Sequence, residues 1–288
     1  MKLASFFDQG RLHFGRVEGD EVVVLSDRAL APAGLRELLA RGADGLAWAR
    51  SSRPDDRRLP LSEVELRAPI PEPQKFLALG GNYQSHLAEA KKVGVARGPG
   101  QVWFNKQVSC ITGPYSAVVK PWVSDQFDYE GELGVIIGTR CRHVRAENAD
   151  SVIAGYVVCN DMSVRDWQLR APTHTLGKSF DTHGPFGPWL VTRDEVPDPH
   201  ALRLRTWVNG ELRQEASTSE MIHRIGAMVA ELSTAFTLEP GDVLSTGSPA
   251  GVGGLMDPPR YLEPGDVVRV EIEGIGAIEN KVVAEPRI

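Results

Sequence analysis

Cysteine is scarce in this sequence. The 288 residues include three, Cys110, Cys141 and Cys159. An odd number at wide spacing excludes a zinc knuckle or a paired redox motif, and free buried thiols are the expectation. Positive charge is not in excess either: 32 Lys and Arg stand against 38 Asp and Glu, a net charge of -6 with a pI near 5.7. No broad basic field exists to attract phosphate backbones or anionic lipids. Long apolar runs are missing too. The opening MKLASFFDQGRLHFGRVEGDE is broken by charge before a secretory core can form, and no later stretch is long enough to span a bilayer. A cytoplasmic protein with neither nucleic acid nor membrane as partner is expected.

At 42% hydrophobic residues the chain can bury a full core without covalent staples. Its first part, residues 1–65, reads as a small β-rich domain. KLASFF, RLHFGRV and EVVVL are strand candidates separated by Asp-Gln-Gly and Glu-Gly-Asp turns. A short helix is expected at Leu35–Leu39 and another near Leu46–Arg50, before the polar connector SSRPDDRRLP. Residues 66–288 form the second domain. There KFLALGG, AVVKP, ELGVIIG, AGYVVCN, PWLVTR, LRLRTWVNG, DVLSTG and DVVRVEIEG read as successive strands. Helical periodicity is confined to a stretch after Asn82 and to Ser219–Phe236, where Met221, Ile222, Ile225, Met228, Val229 and Leu232 recur as a core stripe. Pro-Gly-Asp precedes a strand twice, at Pro240 and at Pro264. The architecture is mainly β with a few helices, an α+β arrangement.

The chemistry-bearing residues begin at Asp128-Tyr-Glu-Gly-Glu-Leu-Gly. A strand period of two sends Asp128, Glu130 and Glu132 to one face and Leu133, Val135 and Ile137 to the other. Adjacent carboxylates on one face repel, so a divalent cation or cationic side chains would have to neutralise them. An edge strand with a solvated acidic face fits the same pattern. Asp161 shifts the balance, because it ends the apolar strand AGYVVCN and brings a third carboxylate to a strand terminus. If the following residues turn helical, Asp161, Arg165 and Gln168 share one face. Three carboxylates suit magnesium, manganese or calcium, whereas zinc normally takes His or Cys. With a divalent ion they still carry about one negative charge, and Lys178, one of only eight lysines, is the candidate cation to offset it.

Five segments in this order resemble the fumarylacetoacetate hydrolase family in its short form, the acylpyruvases and the hydratases or decarboxylases of catechol meta-cleavage pathways. They are Gly81-Asn-Tyr-Gln-Ser-His86, Asp128-Tyr-Glu-Gly-Glu-Leu-Gly, Asn160-Asp-Met-Ser-Val-Arg-Asp-Trp-Gln168, Gly177-Lys-Ser-Phe-Asp-Thr and Thr246-Gly-Ser-Pro-Ala-Gly-Val-Gly253. The likeness spans residues 70–283 and implies a mixed β-sandwich or roll behind a small N-terminal domain. It also implies Glu130, Glu132 and Asp161 as ligands of magnesium or manganese, with Lys178 beside them. Arg165 and Gln168 would face substrate, and Thr246 and Gly247 would meet its carboxylate or far end.

His86 and Glu89, three residues apart, would be the family's water-activating pair, since a histidine oriented by a carboxylate can take a proton near neutral pH. On its residues alone His86 reads as a surface or capping histidine. The implied activity is metal-dependent hydrolysis of a carbon-carbon bond in an acylpyruvate or fumarylpyruvate-like 1,3-dicarbonyl acid. Hydration, isomerisation or decarboxylation of 2-oxo acids passes through the same kind of enolate, and a non-catalytic binding member is the reading from another class. A homodimer is implied by the resemblance alone. Two departures bear on substrate shape: Gln107 stands where many relatives have proline, and His183 where an aromatic residue is more usual.

Overall fold

The computed structural model describes residues 1–92 and 100–286. Its centre is a 12-stranded sheet running Arg58–Pro60, Glu21–Val24, Arg11–Glu18, Lys2–Asp8, Gly184–Thr192, Ile153–Asn160, Gly131–Ile137, Val243–Ser245, Phe76–Gly80 and Val102–Lys106, with two short strands off this path. A second sheet of five strands joins Glu211–Ser217, Arg203–Val208, Val267–Ile272, Gly276–Ala284 and Val118–Lys120. Most neighbours are antiparallel, while Val243–Ser245 pairs in parallel with Phe76–Gly80. The protein is therefore mainly β, as the alternating strand pattern requires.

The opening strands pair as the meander expected of them, Lys2–Asp8 with Arg11–Glu18 and that strand with Glu21–Val24. They do not form a sheet of their own: Lys2 and Leu3 pair with Val191 and Leu190 of the large sheet. Helices Leu35–Ala40 and Gly42–Arg50 occupy the two places expected. Leu35, Leu38 and Leu39 pack with Leu3, Phe14, Val23, Phe76, Ile136 and Phe186 on one side of the large sheet.

The other side of that sheet meets the second. Leu133, Val135 and Ile137 join Leu204, Val270, Ile272 and Ile278 in one core layer, as two stacked sheets require of their inward residues. Every residue of Gly131–Ile137 is buried, and the strand lies between two neighbours. A solvated edge strand is thereby excluded for the segment carrying Glu132.

One helical reading is shortened. The helix is Ile225–Ala235, with a single 3-10 turn at Thr218–Glu220 before it. Ser217 and Glu220 cap that turn reciprocally, and the chain then runs extended through Met221. Met221 bridges to Tyr83, and the Ile222 N–H donates to the Asn82 carbonyl at 2.8 Å. Met221 is buried and Ile222 partly covered by an extended segment, which imitates a helical stripe. Among the described residues, no helix is long and apolar enough to cross a membrane.

Candidate metal and enolate site

Glu130, Glu132 and Asp161 converge. One carboxylate oxygen from each lies within 4.8 Å of the others, and all three residues are buried. Chain geometry explains the meeting: Gly131 pairs with Asn160 in antiparallel register, so the residues flanking that pair face each other across the sheet end. The Asp161 N–H donates to the Glu130 carbonyl at 2.8 Å, and the Glu130 N–H donates to Asn160 Oδ1 at 3.0 Å.

Two details of the expected arrangement are corrected. Asp128 does not share a continuous strand face with Glu130 and Glu132, because the strand breaks at Tyr129 and Glu130 between Phe127–Asp128 and Gly131–Ile137. Nor does Asp161 share a helix with Arg165 and Gln168. The helix is only Arg165–Gln168, and Ser163–Val164 intervenes as a strand paired with Phe127–Asp128. Arg165 and Gln168 do meet, with guanidinium donating to amide oxygen at 3.0 Å.

Buried cations surround the carboxylates. Lys178 Nζ donates to Glu130 Oε2 and to Asp161 Oδ2, each at 2.7 Å. It is 1% exposed, so it is no surface lysine. Arg165 donates to Glu130 Oε1 at 2.5 Å and to Asp128 Oδ2 at 2.8 Å. Lys106, which no motif reading selected, donates to Asp161 Oδ1 at 2.6 Å. Its signal was available: Val102, Phe104 and Lys106 alternate along one strand, and lysine is rare in this chain.

Glu132 is held differently. Its Oε2 accepts the Ser245 hydroxyl at 2.6 Å and the Gly247 N–H at 2.8 Å, and no cationic side chain contacts it among the described residues. Gly247 has φ +97°, and a Cβ there would meet Asn82, so glycine is needed for this close approach. Burial and the neighbouring Asp161 and Glu130 charges push the Glu132 carboxyl well above the usual range. Glu130 moves the other way: burial alone would raise it, but the charges of Lys178, Arg165 and His86 together hold it far below. A hard divalent cation fits this set, because it offers all-oxygen donors and one buried carboxylate lacking a counter-charge.

With all groups ionised, Asp128, Glu130, Glu132 and Asp161 outnumber Lys106, Lys178 and Arg165 by one negative charge. A divalent ion would turn that into one positive charge, a balance suited to an anionic ligand.

His86 and Glu89 sit on the helix Gln84–Lys92, with Nδ1 and Oε2 3.7 Å apart, an ion-pair distance beyond hydrogen-bond reach. Asn82 anchors this helix: its side-chain amide donates to the Thr246 carbonyl at 2.8 Å and accepts from the His223 N–H at 2.7 Å. Glu89 also takes the Gly251 N–H at 3.2 Å. The histidine helix and the Thr246–Gly253 loop are thus tied together. Asp128 clamps the loop's far end by accepting the Gly253 and Gly254 N–H groups at 2.8 and 2.9 Å.

The two departures noted in the sequence play structural parts. The Gln107 N–H donates to Ser179 Oγ at 3.0 Å, a bond proline could not make. His183 is fully buried, stacks on Phe127 at 4.5 Å between ring centroids and lies 2.8 Å from the Val119 carbonyl through Nε2. Its burial pushes the imidazole pKa down to about 3. The three cysteines are free, with Cys110 and Cys159 buried and Cys141 partly so.

A mixed β fold with a buried carboxylate triad braced by lysine and arginine defines a site able to hold a divalent ion. The chain belongs to the fumarylacetoacetate hydrolase family: residues 75–283 match the fumarylacetoacetate (FAA) hydrolase C-terminal domain, and residues 1–69 match the Rv2993c-like N-terminal family. It is 42% identical over 255 residues to a mitochondrial oxaloacetate tautomerase of Xenopus laevis, covering 88% of this chain and 79% of that one. A human mitochondrial oxaloacetate tautomerase is 40% identical over 277 residues, covering 94% of this chain and 87% of that one. Among solved structures, the fumarylacetoacetate hydrolase of psychrophilic Exiguobacterium antarcticum superposes with a TM-score of 0.86 at 38% identity, covering 99% and 100%. Maleylpyruvate hydrolase from Sphingobium sp. SYK-6, in complex with manganese(II) ion and pyruvate, does so with 0.81 at 34% identity and the same coverage. Members of the family are enzymes that include hydrolases, isomerases and tautomerases.

Proposed function

We propose that this protein is a divalent-metal-dependent enzyme that interconverts the keto and enol forms of a small 2-oxo diacid such as oxaloacetate. One observation carries the reading: the Lys178 ammonium bridges Glu130 and Asp161 at 2.7 Å each inside a buried carboxylate triad. Such a group is pre-set to hold an oxyanion without reorganisation. Magnesium or manganese held by Glu130, Glu132 and Asp161 would supply Lewis acidity toward the carboxylate and 2-oxo oxygens of the substrate.

The chain's own residues do the rest. Lys178 donates to the enolate oxygen as the C3 proton leaves. His86, braced by Glu89, accepts that proton and returns it to oxygen, which completes the tautomerisation with no atom gained or lost. Arg165 and Gln168 orient the substrate, and Thr246 with the Gly247 loop meets its remote carboxylate. The likeness to oxaloacetate tautomerases along most of the chain supports this choice of reaction.

A second reading, hydrolysis of an acylpyruvate or fumarylpyruvate-like acid, is favoured by the same His86–Glu89 pair, which could deprotonate water. The likeness to a maleylpyruvate hydrolase supports it. Hydration, isomerisation or decarboxylation would use the same enolate. A purely binding role is disfavoured by the complete set of carboxylates, lysine and histidine. We also take the protein to act as a cytoplasmic homodimer.

The test is to follow enol-oxaloacetate by ultraviolet absorbance, and acylpyruvate products by NMR, with Mg2+ or Mn2+ present. Accelerated enol decay with all four carbons retained supports tautomerisation. Two acid fragments from acylpyruvate with no effect on the enol would replace it with hydrolysis.

A further inference from the structure

Lys106 has no part in the catalytic roles above, yet its side chain is fully buried against the metal site. An ammonium has three donors and no acceptor. All three have partners here: Asp161 Oδ1 at 2.6 Å, the Met162 carbonyl at 3.4 Å and the Lys178 carbonyl. None is left for a substrate, which separates Lys106 from Lys178.

Two consequences follow for its neighbours. The Asp161 carboxylate is held at both ends, with Oδ1 on Lys106 and Oδ2 on Lys178, so it cannot swing to chelate an ion through both oxygens. The turn carrying Lys178 is also gripped by the strand end that carries Lys106. Two residues earlier, the Phe104 ring centroid lies 5.1 Å from Lys178 Nζ. One residue later, Gln107 bonds Ser179.

We propose that Lys106 is a positioning residue that confines Asp161 to one-oxygen metal ligation and fixes the turn that aims Lys178. The inference rests on the metal-dependent reading of the site. It says that cation affinity and turnover are opposed at this position. Removing the charge and freeing Oδ1 strengthens the hold on the ion, because a nearby positive charge is lost. It also releases Lys178, and misplacing a catalytic group by an ångström costs about 100-fold in rate.

The experiment uses the full chain with Lys106→Met and Lys106→Gln, Mn2+ titrated by electron paramagnetic resonance, and steady-state kinetics on oxaloacetate. Lys106→Met is expected to bind Mn2+ about fivefold more tightly while kcat falls roughly 100-fold and KM changes less than about threefold. Lys106→Gln keeps donors for the two carbonyls and is expected to recover part of kcat while retaining the tighter Mn2+ binding. Mn2+ binding and kcat falling together, or kcat within about twofold of wild type, overturns the proposal.

If neither variant folds, the wild-type lysine 15N–1H spectrum decides. An ammonium resonance assigned to Lys106 and protected from water exchange, with and without diamagnetic Mg2+, is expected, and its absence overturns the assignment. A wild-type enzyme inert toward oxaloacetate defeats the tautomerase reading, whereas the Mn2+ arm still judges Lys106.

Discussion

Arg165 meets Asp128 through both Nε and a terminal guanidinium nitrogen, each 2.8 Å from Oδ2, with the carboxylate fully buried. Asp128 is thus an orienting group for Arg165 and the anchor of the Gly253–Gly254 turn. Breaking a buried ion pair by removing one charge typically costs about 3 kcal/mol. Asp128→Asn should lower stability by roughly that amount in chemical denaturation and raise KM more than it lowers kcat. Unchanged stability and KM would show that Arg165 needs no such anchor.

The triad predicts a pH dependence whose sign is fixed by Glu132. Its carboxyl is pushed up in the fold, so the protonated form is the favoured one. The associated stability is present below the ordinary carboxylate range and is lost as pH rises through the raised value. Metal-free protein should therefore melt at lower temperature at about pH 8 than at about pH 5.5, and Mn2+ should raise Tm more at the higher pH. Glu132→Gln should flatten both trends in a thermal-shift series.

His86→Ala should reduce kcat by about 100-fold or more, the usual worth of a general base, while Mn2+ affinity stays close to wild type. Glu89→Gln should show a smaller loss, since it braces His86 at 3.7 Å and contacts the Gly251 N–H. Kinetics paired with Mn2+ titration separates this from a loss of metal.

His183 supplies a control remote from catalysis. Its pKa is pushed down to about 3 by burial, so its contribution to stability is present above the ordinary histidine range and is lost as pH falls toward that value. His183→Phe, which fills the place beside Phe127, should melt higher than wild type at about pH 4 and show little difference at neutral pH.

Much of this site was legible because local rules place it. The two-residue period set Glu132 opposite Leu133, and the apolar run before Asp161 marked a strand end. What was not legible depended on long-range pairing. Nothing in residues 1–8 says that Lys2 and Leu3 pair with Val191 and Leu190. The strand period puts Asp128 on one face with Glu130 and Glu132, whereas the Gly253 and Gly254 N–H groups and Arg165 consume it. Strand alternation marks Lys106 as inward-facing, but its partners are not legible, because its acceptors lie 55 to 72 residues away. Met221 imitated a helical stripe because an extended segment bridged to Tyr83 buries it as well as a helix would, while Ile222 is only partly covered.

Joint binding of one divalent ion by Glu130, Glu132 and Asp161 is measured directly by Mn2+ titration with electron paramagnetic resonance. Wild type should bind one ion per chain below about millimolar concentration, and Glu130→Gln, Glu132→Gln and Asp161→Asn should each abolish that site while remaining folded. Stoichiometric Mn2+ binding that survives in all three variants, or none in wild type, would contradict it.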